Sequence, residues 1–165
     1  MTPINRINVA ALLLPTALMA GALGSQYIGH LHPCEMCWWQ RWPHYAAIAL
    51  AALAFFAPQG LTRRLLIAGA AGGILTSGLI GAYHAGVEYH WWQGMTTCSS
   101  EGGHSIADIM AAGAFVRCDE AQWTLFGISL AGFNALIATP WALALFVLLL
   151  RRRDGALSSI KEHKQ

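Results

Sequence analysis

Residues 121–150 read AQWTLFGISLAGFNALIATPWALALFVLLL, a run without one Asp, Glu, Lys or Arg. A helix of about 20 residues crosses a hydrocarbon core of roughly 30 Å, so this stretch is long enough to span a membrane. Three others share the property: Ile7 to Cys34, Trp42 to Thr62 and Leu65 to Val87 carry no charged residue. Of all 165 residues, 56% are hydrophobic and 11% charged, against roughly 25% charged in soluble domains. So little charge cannot coat a globular surface. The composition therefore excludes a water-soluble enzyme and a disordered chain, and a net charge of +2 is too small to hold nucleic acid. The expected fold is an all-α membrane protein, four transmembrane helices in an up-down bundle. The expected spans are about 9–28, 43–57, 65–83 and 125–150, with a basic tail over 151–165.

The first span has some features of a cleaved signal peptide: Arg6, an apolar core, then Ala20-Gly21-Ala22. Its apolar stretch continues to Tyr27-Ile28, which a signal peptide does not need, so it reads as a retained span. Pro15 and Pro140 should kink spans one and four. Pro43 suits the first turn of span two, where a missing N–H costs nothing. Pro58-Gln59-Gly60 reads as the turn that ends it.

Basic residues orient the bundle. Arg6, Arg63, Arg64, Arg151, Arg152, Arg153, Lys161 and Lys164 all fall on one side of a four-span chain, which should be the cytoplasm. The opposite loops hold Arg41 and Arg117 against Glu35, Glu88, Glu101, Asp108, Asp119 and Glu120. Gly69, Gly73, Ser77, Gly81 and Ala85 recur every fourth position in span three, a pattern for close helix packing in lipid. Trp38, Trp39, Trp42, Trp91 and Trp92 gather near the outer ends of the spans, as an interfacial aromatic belt does.

This topology puts every cysteine outside the cytoplasm: Cys34 and Cys37 in the first outer loop, Cys98 and Cys118 in the second. Four cysteines allow three pairings. If the Cys-x-x-Cys loop closes on itself, Cys98 and Cys118 form the second pair. Structural staples are one reading, but a two-residue spacer makes a tight and often labile ring. A metal site with His30, His32, His90 or His104 is another, disfavoured because the short spacing is not repeated. The third is a two-stage dithiol relay, in which one pair exchanges with a soluble protein and the other passes electrons onward. Disulfides cannot accumulate electrons, and the acceptor at hand in a bilayer is a quinone. Arg41, just after the thiol pair, keeps its proton and would stabilise both a Cys37 thiolate and a reduced quinone oxygen.

The run Pro33-Cys34-Glu35-Met36-Cys37-Trp38-Trp39-Gln40-Arg41, followed by Cys118-Asp119-Glu120-Ala121-Gln122-Trp123, resembles the DsbB family of bacterial inner-membrane thiol:quinone oxidoreductases. The likeness extends to about Leu150. It implies that Cys98–Cys118 is the loop disulfide that oxidises a periplasmic, thioredoxin-like thiol oxidase of the DsbA type, with Cys98 forming the mixed disulfide. It implies that Cys34–Cys37 is the membrane-proximal pair, that Cys37 forms a charge-transfer adduct with ubiquinone or menaquinone, and that Arg41 stands beside it. The chain departs from the best-known members in the short segment between Cys98 and Cys118. There Ile106, Ile109, Met110, Phe115 and Val116 suggest a short amphipathic helix on the membrane surface.

His84 and Glu88, one helical turn apart, read first as an interfacial pair capping span three and more weakly as groups facing the quinone. The rival readings are a non-enzymatic membrane scaffold with two structural disulfides and a vitamin K epoxide reductase type of enzyme. In the latter family the active pair lies late in the chain, whereas here it precedes the second span.

Overall fold

The computed structural model describes residues 3–95 and 116–162. Within them run helices α1 (Pro3–Tyr27), α2 (Glu35–Phe56), α3 (Leu61–Glu88) and α4 (Leu130–Glu162), with strands β1 (Thr124–Leu125) and β2 (Ile128–Ser129) leading into α4. Cys98, His104 and the expected surface helix lie outside the described residues, apart from Val116.

Ile4–Tyr27, Leu61–Glu88 and Leu130–Arg151 are long and apolar enough to cross a membrane. The N-terminal half of α2 holds Glu35, Gln40, Arg41 and His44, and this helix does not meet the same measure. Large side chains such as Leu13, Leu65, Leu79, Leu136 and Leu143 face outward. That is the surface of a helical bundle in lipid, where hydrocarbon rather than water meets the outside.

Two expected boundaries move. Span two was expected from Pro43, but α2 starts at Glu35. Cys34 caps it with extended backbone (φ −73°, ψ 175°), its sulfur accepting from the Cys37 amide. Pro43 therefore sits inside the helix, and the whole stretch from Cys37 to Arg41 is helical. Span four was expected from Leu125, but α4 starts at Leu130. Phe126 and Gly127 take φ of +53° and +76°, the paired left-handed geometry of a tight hairpin turn. Thr124 pairs with Ser129 and Leu125 with Ile128. Helices α1 and α4 continue through Pro15 and Pro140.

Helix α3 packs along both α2 and α4, while α1 lies mainly against α2. The small residues of α3 make this possible. A methyl group on Gly73 would stand 2.8 Å from the Pro43 carbonyl of α2, and one on Gly81 would stand 2.9 Å from the Ala131 carbonyl of α4. The core between them is built largely from Ala47, Ala51, Ala70, Ala71, Ala138 and Ala142, with Ile67 and Ile74. At the end bearing the basic residues, buried Arg63 donates to Ala57 O (2.6 Å) and Phe55 O (3.1 Å) at the C-terminus of α2, and to Asn5 Oδ1 of α1 (3.0 Å). A cation suits those end carbonyls. Arg63 thus fastens three helices together.

Gly78 tests this packing: its added Cβ would meet Thr139 N at 2.9 Å and Thr139 Oγ1 at 2.5 Å, whereas Gly72 has nothing within 4 Å. Gly78→Leu is expected to destabilise the folded protein by about 1–3 kcal/mol or more through overpacking. Gly72→Ala should be neutral or slightly stabilising. Thermal unfolding in detergent, followed by tryptophan fluorescence, checks both.

Candidate active site

The site begins with the cap of α2. The Cys37 amide donates to Cys34 Sγ at 3.3 Å, and the two sulfurs lie 2.9 Å apart as free thiols. A helix N-terminus favours negative charge on sulfur. The two thiols then divide one proton. The hydrogen bond from Cys34 is the largest influence holding the Cys37 thiol below its ordinary range; the positive charge of Arg41 helps, against burial and Glu88. The same hydrogen bond, with burial, pushes the Cys34 thiol up. Of the pair, Cys37 is therefore the thiol that ionises first and Cys34 the one that keeps its proton.

Cys34 is buried and faces the loops. Its sulfur lies 3.6 Å from His84 Nε2, and Cys34 Sγ, a ring nitrogen of His84 and Cys118 Sγ all lie within 4.8 Å of one another. Cys118 is fully buried and disulfide-bonded. Cys98, the expected partner of Cys118, lies outside the described residues. Two hydrogen bonds of the Gln122 amide hold the loops together here: His32 N donates to Gln122 Oε1 (3.1 Å) and Gln122 Nε2 to His32 O (2.5 Å). Two cysteines and a histidine are a plausible ligand set for zinc. A sulfur already in a disulfide is no thiolate, however, so redox exchange describes this cluster better than a metal centre. His84 Nε2 also lies 3.7 Å from Glu88 Oε1. Both side chains are buried, so the pair is no exposed cap of the helix. It stands on the Cys34 side of the site, in a small pocket of about 60 Å³ that also touches Cys37 and Arg41.

Cys37 faces the other way as well. With Arg41 and His44 it lines a cavity of about 210 Å³ between α1, α2 and α4. The three residues follow one another at i, i+4 and i+7, one stripe of a helix. The remaining wall is chiefly apolar: Ala17, Leu18, Met19, Leu130, Ala131 and Phe133. Arg41 does not snorkel to the surface; it is 6% exposed. Its Nη1 donates to Gln26 Oε1 (2.5 Å), its Nη2 to Ala22 O (3.3 Å), and its guanidinium carbon lies 5.0 Å from the centre of the Trp38 ring. Every one of these partners is neutral, so the guanidinium charge stays available to the cavity.

A polar network crosses the bundle behind the sulfurs. Gln40 Nε2 donates to His84 Nδ1 (2.9 Å) and to Met36 O (3.2 Å). Asn134 Nδ2 donates to Gln40 Oε1 (2.9 Å), and His44 Nε2 lies 3.0 Å from Asn134 Oδ1. Of the residues expected from the sequence, Cys34, Cys37, Arg41, His84, Glu88 and Cys118 come together. Gln40, His44, Ser77 and Asn134 were not foreseen as members. Their signal was available: each is a polar side chain inside or beside an uncharged apolar run, a costly placement that points to a role.

A family model, "Disulfide bond formation protein DsbB", matches residues 5–149. No curated protein and no solved structure matches the chain. The match takes in both the Cys-x-x-Cys helix and Cys118, together with nearly the full length of the three apolar segments that can cross a membrane. The chain belongs to the DsbB family of disulfide-forming membrane oxidoreductases.

Proposed function

We propose that this protein reoxidises a periplasmic, DsbA-type thiol oxidase and passes the electrons to a membrane quinone. In this reading all four helices span the bacterial inner membrane, both termini are cytoplasmic, and the cysteine-bearing loops are periplasmic. One observation carries the proposal: the two thiols of one Cys-x-x-Cys serve different neighbours. Cys34 faces the disulfide-bonded Cys118, and Cys37 faces an apolar cavity that also holds a buried cation.

The cavity suits a quinone headgroup, serving here as the electron-accepting substrate. Its walls are apolar, Arg41 offers positive charge to a reduced oxygen, and the buried His44 Nδ1 lacks a hydrogen-bond partner. A quinone bound there would supply a two-electron, two-proton sink and leave as quinol into the bilayer. The residues of the chain do the rest. A thiolate of the reduced partner attacks Cys98, opening its disulfide with Cys118. The partner's second thiol then resolves the mixed disulfide, so the partner leaves oxidised. Cys118, released as thiolate, attacks Cys34 of the closed Cys34–Cys37 pair, and Cys37 leaves as thiolate. Its low proton affinity makes it a good leaving group. Cys37 then gives up the electron pair towards the cavity, and Cys34 and Cys37 close again to a disulfide as Cys98 and Cys118 re-form theirs.

Purified protein mixed with a reduced thioredoxin-like thiol oxidase and ubiquinone is expected to turn over, read as loss of quinone absorbance. Cys37→Ala should abolish turnover. Arg41→Met should slow quinone reduction by roughly 100-fold, the scale of one lost charge-stabilising donor, while thiol exchange at the loop pair stays intact. Inactive wild-type protein, or a fully active Cys37→Ala variant, would sink the proposal.

The thiol pair also has a pH signature. Because Cys37 is held low, it stays a thiolate below the pH at which an ordinary thiol protonates, and Cys34 stays protonated above it. In protein with only this pair reduced, iodoacetamide at pH 7 should modify Cys37 first. Cys34→Ala removes the largest cause, so the Cys37 titration should move up and its alkylation at pH 7 should slow. Arg41→Met should have the same effect to a smaller degree.

A further inference from the structure

The hydrogen bonds around Asn134 decide which nitrogen of His44 carries the proton. Asn134 Nδ2 faces three oxygens: Gln40 Oε1 (2.9 Å), Ser77 O (3.1 Å) and Ser77 Oγ (3.0 Å). The first two only accept, and the Ser77 hydroxyl donates its own proton to Gln40 O (2.8 Å). A flipped amide would set oxygen against oxygen, so Oδ1 must be the atom facing His44. Only an N–H can satisfy that oxygen, so His44 Nε2, 3.0 Å away, is the donor. A neutral imidazole protonated at Nε2 has a bare lone pair at Nδ1. That Nδ1 is buried without a hydrogen-bond partner, on a residue 3% exposed.

A buried acceptor left unpaired is costly, and its position suggests what would pair with it. His44 lines the cavity that Cys37 and Arg41 line. Among the described residues lining that cavity, only these three side chains titrate. Cys37 is needed as the electron donor. Arg41 does not release a proton. A quinone oxygen that gains electrons must also gain a proton, and His44 alone remains to give it.

We infer that His44, once protonated at Nδ1, hydrogen-bonds one quinone oxygen and delivers that proton to it, with Asn134 as the positioning residue that holds the ring. The inference rests on the quinone reading above. Taking the Cys34 thiol and the Cys37 thiolate to a disulfide releases two electrons and one proton, the Cys37 proton having passed to water when that thiol ionised. Two electrons and two protons convert the quinone to quinol. One of these two protons is taken up at His44 Nδ1 and given to the oxygen against it; the other, released to water by the thiols, reaches the second oxygen through water. The neutral imidazole left behind then accepts the new O–H. The tautomer that Asn134 favours is the one this last state requires.

The test uses the full chain in detergent with reduced thioredoxin-like thiol oxidase and ubiquinone-1. His44→Gln keeps a donor near Asn134 and removes Nδ1. It should lower kcat with ubiquinone-1 by roughly 100-fold, the scale of one lost general acid. Thiol exchange at the loop pair, measured without quinone, should be unchanged and so reports an intact fold. His44→Ala should be equally slow and should regain at least tenfold when imidazole is added. Such rescue would not follow from a merely structural role. A His44→Gln variant within twofold of wild type overturns the inference, as does a His44→Ala variant that imidazole does not rescue. In either case, active wild-type protein leaves the quinone reading standing. Inactive wild-type protein removes both.

Discussion

The site depends on one hydrogen bond, from the Cys37 amide to the Cys34 sulfur. It makes a thiol the N-cap of α2, where Ser, Thr, Asp or Asn usually serves. Helix therefore starts at the redox motif itself, and everything after Cys34 is placed with helical spacing. Cys37, Arg41 and His44 fall on one stripe towards the cavity. The cap residue points elsewhere, towards His84 and Cys118. Had α2 started at Pro43, the thiols would sit on a loop, with no fixed relation to Arg41.

The second constraint is burial without water. Gln40, His44, Ser77 and His84 are all buried, and each must find a partner inside the bundle. They find one another and Asn134. The chain from His84 through Gln40 and Asn134 to His44 links the thiol side of the site to the cavity side. Close helix contact makes it possible, and glycine makes the contact possible. Gly81 is the clearest case: a side chain there would collide with the Ala131 carbonyl, Gln40 Oε1 and Asn134 Nδ2 together. The stripe of small residues on α3 thus serves packing and, through packing, the site.

Some of this was legible in the sequence. Uncharged runs identified the apolar helices, because in lipid the length without charge is the main requirement. Cys-x-x-Cys beside Arg41 marked the thiol pair from which the proposed relay is read, because those residue types carry their chemistry locally. The start of α2 was misplaced because Pro43 resembles a helix start, whereas the actual cap is a cysteine. The start of α4 was misplaced because the Phe126–Gly127 turn lies within an apolar run that reads as continuous helix. His44 and Asn134 were passed over because each is an isolated polar residue in an apolar run, and only their meeting gives them meaning.

By itself, then, the sequence determined that this is a helical membrane protein carrying a Cys-x-x-Cys pair beside an arginine. Those properties follow from composition, spacing and residue chemistry along the chain. The tertiary structure alone decided that Cys34 meets Cys118, that Cys37 shares a cavity with Arg41 and His44, and that Asn134 sets the tautomer of His44. These are contacts between residues as far as 90 positions apart. They depend on how closely α2, α3 and α4 approach, and no local pattern in the chain encodes that distance.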